Sequence, residues 1–162
     1  MRYVKFLSRS IKVDTVKTVY LIIFLIFFLT SSLRKFIILI YMTMKQLKAT
    51  VKTMRKSCQP KNNVSDEKID PINEGVFYEE KEVMCYMACI MKMANAIKNN
   101  KLSYDSAVKQ VDLLLPEELK EPAKAALAAC RKVAEGYKDI CEAAFHTTKC
   151  IYNFNPDIFF FP

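Results

Sequence analysis

Six cysteines, Cys58, Cys85, Cys89, Cys130, Cys141 and Cys150, are the residues of this 162-residue chain with the most chemistry in them. Thiolates can ligate zinc, act as nucleophiles or oxidise in pairs. No Cys-x-x-Cys occurs and His146 is the sole histidine, so the paired ligand spacing of a structural zinc centre is missing. In Phe145-His146-Thr147-Thr148 the imidazole has no neighbouring Asp to orient it as a general base, and it reads as a surface or half-buried helix histidine, with hydrogen bonding to a ligand as the sharper alternative. The acidic pairs Glu79-Glu80 and Glu117-Glu118 fall at helix starts, where the helix dipole accounts for them without catalysis. Only two glycines occur, Gly75 and Gly136, too few for a phosphate-cradling loop. No enzymatic activity, cofactor or metal is expected. What remains is oxidation of six thiols to three disulfides, the usual reading of an even cysteine count in a short secreted body.

A secreted body needs a leader. Arg2, Lys5, Arg9, Lys12 and Lys17 form a basic stretch ahead of the apolar run from Val19 to Leu29, the pattern of a signal peptide. Residues 1–32 are read as that signal, cleaved between Ser32 and Met42, with a retained anchor and a start codon set too early as the competing readings. A span from Val19 to Met42 would carry Arg34 and Lys35 into the bilayer, at about 2.5–3.5 kcal/mol each. The leader also explains the charge. Of the 25 Lys+Arg and 17 Asp+Glu behind the net +8, residues 1–42 hold 7 and 1, leaving 18 and 16 in the body, a net of +2. Acids and bases alternate there, as in Lys81-Glu82 and Lys120-Glu121, so nucleic acid is not an expected partner.

The elements that must position the cysteines are helices. The chain is 52% hydrophobic with 8 Met and no Trp, an all-α composition. Residues 43–162 are read as one domain. Met44, Leu47, Val51 and Met54 predict a first helix over Thr43–Ser57, ending near Gln59-Pro60. Ser65 caps a short helix over Asp66–Glu74 that Pro71 kinks and Gly75 ends. Glu79–Asn99 is the longest helical stretch, with Cys85 and Cys89 on one face and too close in sequence to be expected to pair with each other. Ser103 caps a fourth helix to Leu114, Pro116 opens a fifth to Glu135, and Lys138–Tyr152 is the sixth. The tail from Asn153 to Pro162, with Phe159, Phe160 and Phe161, is too apolar to stay in water. Folding back over the domain is the main expectation and contact with a membrane the alternative.

The pattern Cys58-x26-Cys85-x3-Cys89-x40-Cys130-x10-Cys141-x8-Cys150 resembles the insect odorant-binding proteins of the pheromone/general odorant-binding family. Met84-Cys85-Tyr86, Ala129-Cys130-Arg131, Lys149-Cys150 and the terminal aromatic-Pro are similar to its LUSH-type subgroup. The resemblance implies a compact six-helix fold around an apolar cavity. It also implies the pairing Cys58–Cys89, Cys85–Cys141 and Cys130–Cys150.

Met84, Met87, Met91 and Met93 could line such a cavity with soft, adaptable side chains, or simply fill a core. The resemblance favours the cavity. Its implied lining is Met54, Met91, Ala94, Ala96, Ile97, Ala144, Thr148, Ile151, Phe159, Phe160 and Phe161. Alcohol-binding members carry hydroxyl side chains two and seven residues after the third cysteine, where this chain has Met91 and Ala96. A less polar ligand, such as an ester, aldehyde, terpenoid or fatty derivative, is therefore expected, with Thr148, Tyr152 or a tail backbone group as its polar anchor. The expected function is a secreted, extracellular carrier of odorants, pheromones or similar molecules, acting as a monomer or weak homodimer that can serve an olfactory receptor. The alternative is a membrane-associated helical interaction protein. Asn63-Val64-Ser65 is an N-glycosylation sequon in the connector after the first helix.

Overall fold

Buried and half-buried apolar residues at Leu47, Val51, Met54 and Cys58 turn one stripe of the first helix inward. A computed structural model describes residues 44–162 and Tyr20; the expected signal segment lies outside these apart from Tyr20. Met42–Pro162 forms a compact unit of its own. Helix α1 covers Met44–Lys61 and carries Pro60 in its last turn, so it outlasts the predicted end. Ser65 has the extended backbone of an N-cap but makes no side-chain cap bond to α2, Asp66–Ile69. At Pro71 the chain tightens into a 3-10 turn over Asp70–Glu74, which is how the expected kink is realised.

Gly75 ends this turn with φ +86°, and a Cβ there would sit 2.6–2.7 Å from ring atoms and the hydroxyl of Tyr152. Conformation and space both require glycine at that position.

Helix α3, Lys81–Met93, stops well short of the predicted Asn99. Asn95 turns to φ +57°, and Ala96 N–H bonds back to Met91 O at 2.9 Å. A hairpin follows, with β1 (Ile97–Lys98) antiparallel to β2 (Lys101–Leu102) across Asn99 and Asn100 at φ +50° and +56°. Asparagine is the non-glycine residue that best tolerates this region, so Asn99-Asn100 is a turn signal that the helical reading of 79–99 overrode. Helix α4, Tyr104–Leu114, is capped by Ser103 Oγ, which accepts from Ser106 N–H at 3.3 Å.

Helix α5 spans Glu117–Ala129 and continues through Pro122. It does not reach Glu135 as predicted. The helix ends at the disulfide-bonded Cys130, and Val133–Gly136 form a separate 3-10 turn. Helix α6 covers Ile140–Phe154, starting two residues later than predicted because Asp139 is its cap.

The core is a seam between α3 and α6, sealed below by the 69–72 turn. Ile69, Ile72, Val83, Tyr86, Met87, Ala144 and Phe145 are fully buried. Phe77 meets the Phe145 ring edge-on at 5.9 Å. Three disulfides tie this arrangement: Cys58–Cys89 joins α1 to α3, Cys85–Cys141 joins α3 to α6, and Cys130–Cys150 joins the end of α5 to α6.

Asp139 Oδ1 accepts from Cys141 N–H at 2.8 Å and Glu142 N–H at 3.2 Å, and Lys81 Nζ lies 2.7 Å from Oδ2. The lysine hydrogen bond, then the two amides, hold this carboxyl below its ordinary value of 3.8. A depressed folded-state value means the stabilisation is complete above the unfolded value and is lost as pH falls through the folded one. Asp139→Ala is therefore expected to lower the melting temperature at neutral pH, with the gap from the native protein closing below pH 3.8. A gap that stays constant into acid would show that the charge on Asp139 contributes nothing.

Candidate functional site

Two adjoining apolar cavities lie beside the C-terminal end of α3, where it runs past the core seam. One, of about 230 Å³, is walled mainly by α1, α3, α4 and the tail, with Leu127 of α5; the other, of about 190 Å³, by α4, α5, α6 and the tail, with Met91 of α3. They share Met91, Val111, Leu115, Leu127, Phe160 and Phe161, so they are two lobes of one apolar space.

Met54, Met91, Ala94, Ala96, Phe160 and Phe161 line the first lobe, and Thr148, Ile151 and Phe159 line the second. Ile97 and Ala144 line neither. Ile97 is buried on the hairpin and Ala144 is fully buried in the core seam. The methionine run also divides. Met87 is fully buried core and Met84 packs against it, while Met93 is exposed with its Sδ 3.4 Å from Cys58 Sγ. Met91 alone of the four lines the cavity, because it lies one turn beyond Met87, where α3 leaves the seam.

Sequence reasoning predicted α4 and α5 as helices but missed that they wall the cavity. Ala107, Val111, Leu114 and Leu115, with Leu127 from α5, form the wall facing α3. The signal was an apolar stripe at i, i+4 and i+7 on a helix none of whose residues is fully buried.

Polar groups are few. Thr50 Oγ1 donates to Gln46 O at 3.0 Å and Thr148 Oγ1 to Ala144 O at 2.8 Å. Both hydroxyl protons are thus engaged within their own helices, leaving an acceptor toward the cavity; Gln110 is the other polar lining side chain. Tyr152, a candidate anchor, lines neither lobe. Its ring lies against Gly75 and edge-on to Phe77 and Phe159, at 5.7 and 5.2 Å. His146 also lies outside the cavity lining, stacked on Tyr137 at 4.2 Å.

The tail walls both lobes of the cavity. Asn155 Oδ1 accepts from Asp157 N–H at 3.2 Å, and a 3-10 turn over Pro156–Ile158 sends the chain back. Asn73 then clasps Phe161 on both sides, accepting from its N–H at 2.6 Å and donating to its carbonyl at 2.9 Å. Tyr86 donates its hydroxyl to Pro162 O at 2.6 Å, and its ring meets Phe161 edge-on at 6.1 Å. Burial pushes the Tyr86 phenol above its ordinary value, so it keeps the proton it donates. Phe159, Phe160 and Phe161 are half-buried against the cavity, folded back over the domain.

An all-α body cross-linked by three disulfides around an apolar cavity that the tail helps to wall defines a helical small-molecule-binding fold. The chain belongs to the PBP/GOBP family, whose pattern matches residues 41–154. It is 40% identical to general odorant-binding protein 72 of Anopheles gambiae over 118 residues, covering 73% of this chain and 98% of that one. Among solved structures it is similar to odorant binding protein 4 of Chrysopa pallens, with 38% identity, TM-score 0.69 and coverage of 75% and 99%. Apis mellifera odorant binding protein 5 gives 35% identity, TM-score 0.70 and the same coverage. The family is one of non-enzymatic carriers.

Proposed function

We propose that this chain is a secreted carrier that takes up small hydrophobic molecules of the odorant or pheromone kind into the two-lobed cavity and releases them unchanged. The observation that carries this is an apolar space walled by five helices and by the chain's own tail. Residues 1–32 are its signal peptide in this reading, and the three disulfides suit the oxidising compartment to which that peptide leads. No helix among the described residues is long and apolar enough to cross a membrane. An olfactory receptor is the downstream partner this role offers, with the carrier as a monomer or weak homodimer.

With Met91 and Ala96 in the wall, where alcohol-binding members carry hydroxyl side chains, the cavity pairs poorly with a buried alcohol. A hydroxyl left without its partner costs about 1–3 kcal/mol. Short alcohols are accordingly expected to displace a bound apolar fluorophore from oxidised residues 43–162 about tenfold less well than esters of matched length. Tighter binding of the alcohols would overturn the assigned ligand class, and failure of the fluorophore to bind would overturn the carrier reading.

A further inference from the structure

Helix α1 carries six cations, Lys45, Lys48, Lys52, Arg55, Lys56 and Lys61, and no acid, against a body that is otherwise net acidic. Three of them, Lys48, Lys52 and Arg55, line an open cleft of about 510 Å³ that shares Val51, Phe160, Phe161 and Pro162 with the first lobe of the cavity. The apolar space therefore abuts a basic one across the lip formed by Val51 and the tail.

The cations in this cleft are not equivalent. Arg55 is bound by both carboxylates of the cleft, pairing with Asp66 and, at 2.7 Å, with Asp70. Those two acids hold the guanidinium in place and hold its pKa above the ordinary value. Lys48 and Lys52 are exposed, one helical turn apart, and have no ion-pair partner among the described residues. Lysine Nζ groups on flexible four-carbon stems, at the rim of an apolar cavity, can meet an anionic head while its chain stays in the dry interior.

We propose that the preferred ligands are amphiphiles with an anionic head, of the long-chain carboxylate class, seated with the head between Lys48 and Lys52 and the chain running over the lip into the cavity. This rests on the carrier reading and names its ligand class. Neither lobe is lined by a charged side chain among the described residues, and this cleft is where cations adjoin the apolar space. Alcohols and anions are thereby separated: a hydroxyl buried inside loses its partner, whereas a carboxylate stays at the rim in contact with ammonium groups and water.

The test compares dodecanoate with methyl dodecanoate in displacing N-phenylnaphthylamine at neutral pH and low salt. It uses the native protein and the double variant Lys48→Gln/Lys52→Gln. Glutamine keeps the helix propensity and stem, so the fold and the ester's affinity should be unchanged. The acid is expected to displace the fluorophore about tenfold better than the ester on the native protein, and the advantage should shrink to about twofold in the variant. Equal displacement by acid and ester on the native protein would overturn the anionic-head assignment while leaving the carrier reading intact. An acid preference that survives in the variant would place the head elsewhere and overturn it too. If the fluorophore itself fails to bind, the carrier reading falls, and this inference with it.

Discussion

Replacing Cys85 and Cys141 together by serine is expected to lower the free energy of unfolding by about 4 kcal/mol, the chain-entropy value for a loop of this length. The bond spans 56 residues, more than Cys58–Cys89 at 31 or Cys130–Cys150 at 20. Cross-linking distant points removes more freedom from the unfolded chain, so the same paired substitution at the other two bonds should cost less, in order of loop length. The Cys85–Cys141 bond also joins the two helices that supply Val83, Tyr86, Met87, Ala144 and Phe145 to the core. A small body hollowed by an apolar cavity has less core than its length suggests, and such folds depend on cross-links. Urea unfolding followed by circular dichroism measures this directly. A loss below about 1 kcal/mol would mean that the α3–α6 seam holds without the bond.

Truncation before Phe159 is the second large effect. It removes three rings from the cavity wall, the two-sided Asn73 clasp on Phe161 and the Tyr86 bond to Pro162. Helix α6 ends at Phe154 and the disulfides all lie upstream, so the helical body should survive with its far-ultraviolet dichroism close to that of the full chain. Burying a Phe ring is worth about 1.5–3 kcal/mol when complete, and these rings are half-buried, so part of that is lost from the fold. The ligand loses more. With Phe159, Phe160 and Phe161 gone, both lobes lose their tail wall to water. Apolar fluorophore affinity should fall by more than tenfold, since every 1.4 kcal/mol of lost contact is a factor of ten. Unchanged affinity in the truncated chain would show that the ligand space is closed without the tail. Phe161→Ala in the full chain separates the ring from the clasp: the backbone bonds to Asn73 remain, so a smaller loss than truncation is expected.

Much of the architecture was legible because its determinants are local. Ser103 before an apolar stripe, acids in the first turns of α2 and α5, and Gly75 after a Pro-containing turn are each set by backbone groups within a few residues. The cysteine spacing and its resemblance to a known family carried the rest of the frame, and the aromatic tail announced by composition alone that it had to be covered. Where α3 and α5 stop was not local. Helical spacing continues to Asn99 and to Glu135, but the chain leaves α3 at Asn95 for a hairpin and leaves α5 at the Cys130 cross-link.

The division of α3 between core and cavity was equally out of reach, since Met87 and Met91 share one face and differ only in what lies opposite them. Ala144 and Thr148 on α6 separate in the same way, one in the seam and one at the second lobe. The walls from α4 and α5 escaped notice because a helix facing an empty space has the same stripe as one facing a packed core. Periodicity reports which side of a helix leaves water, and only the packing of neighbouring helices decides whether that side meets atoms or a void.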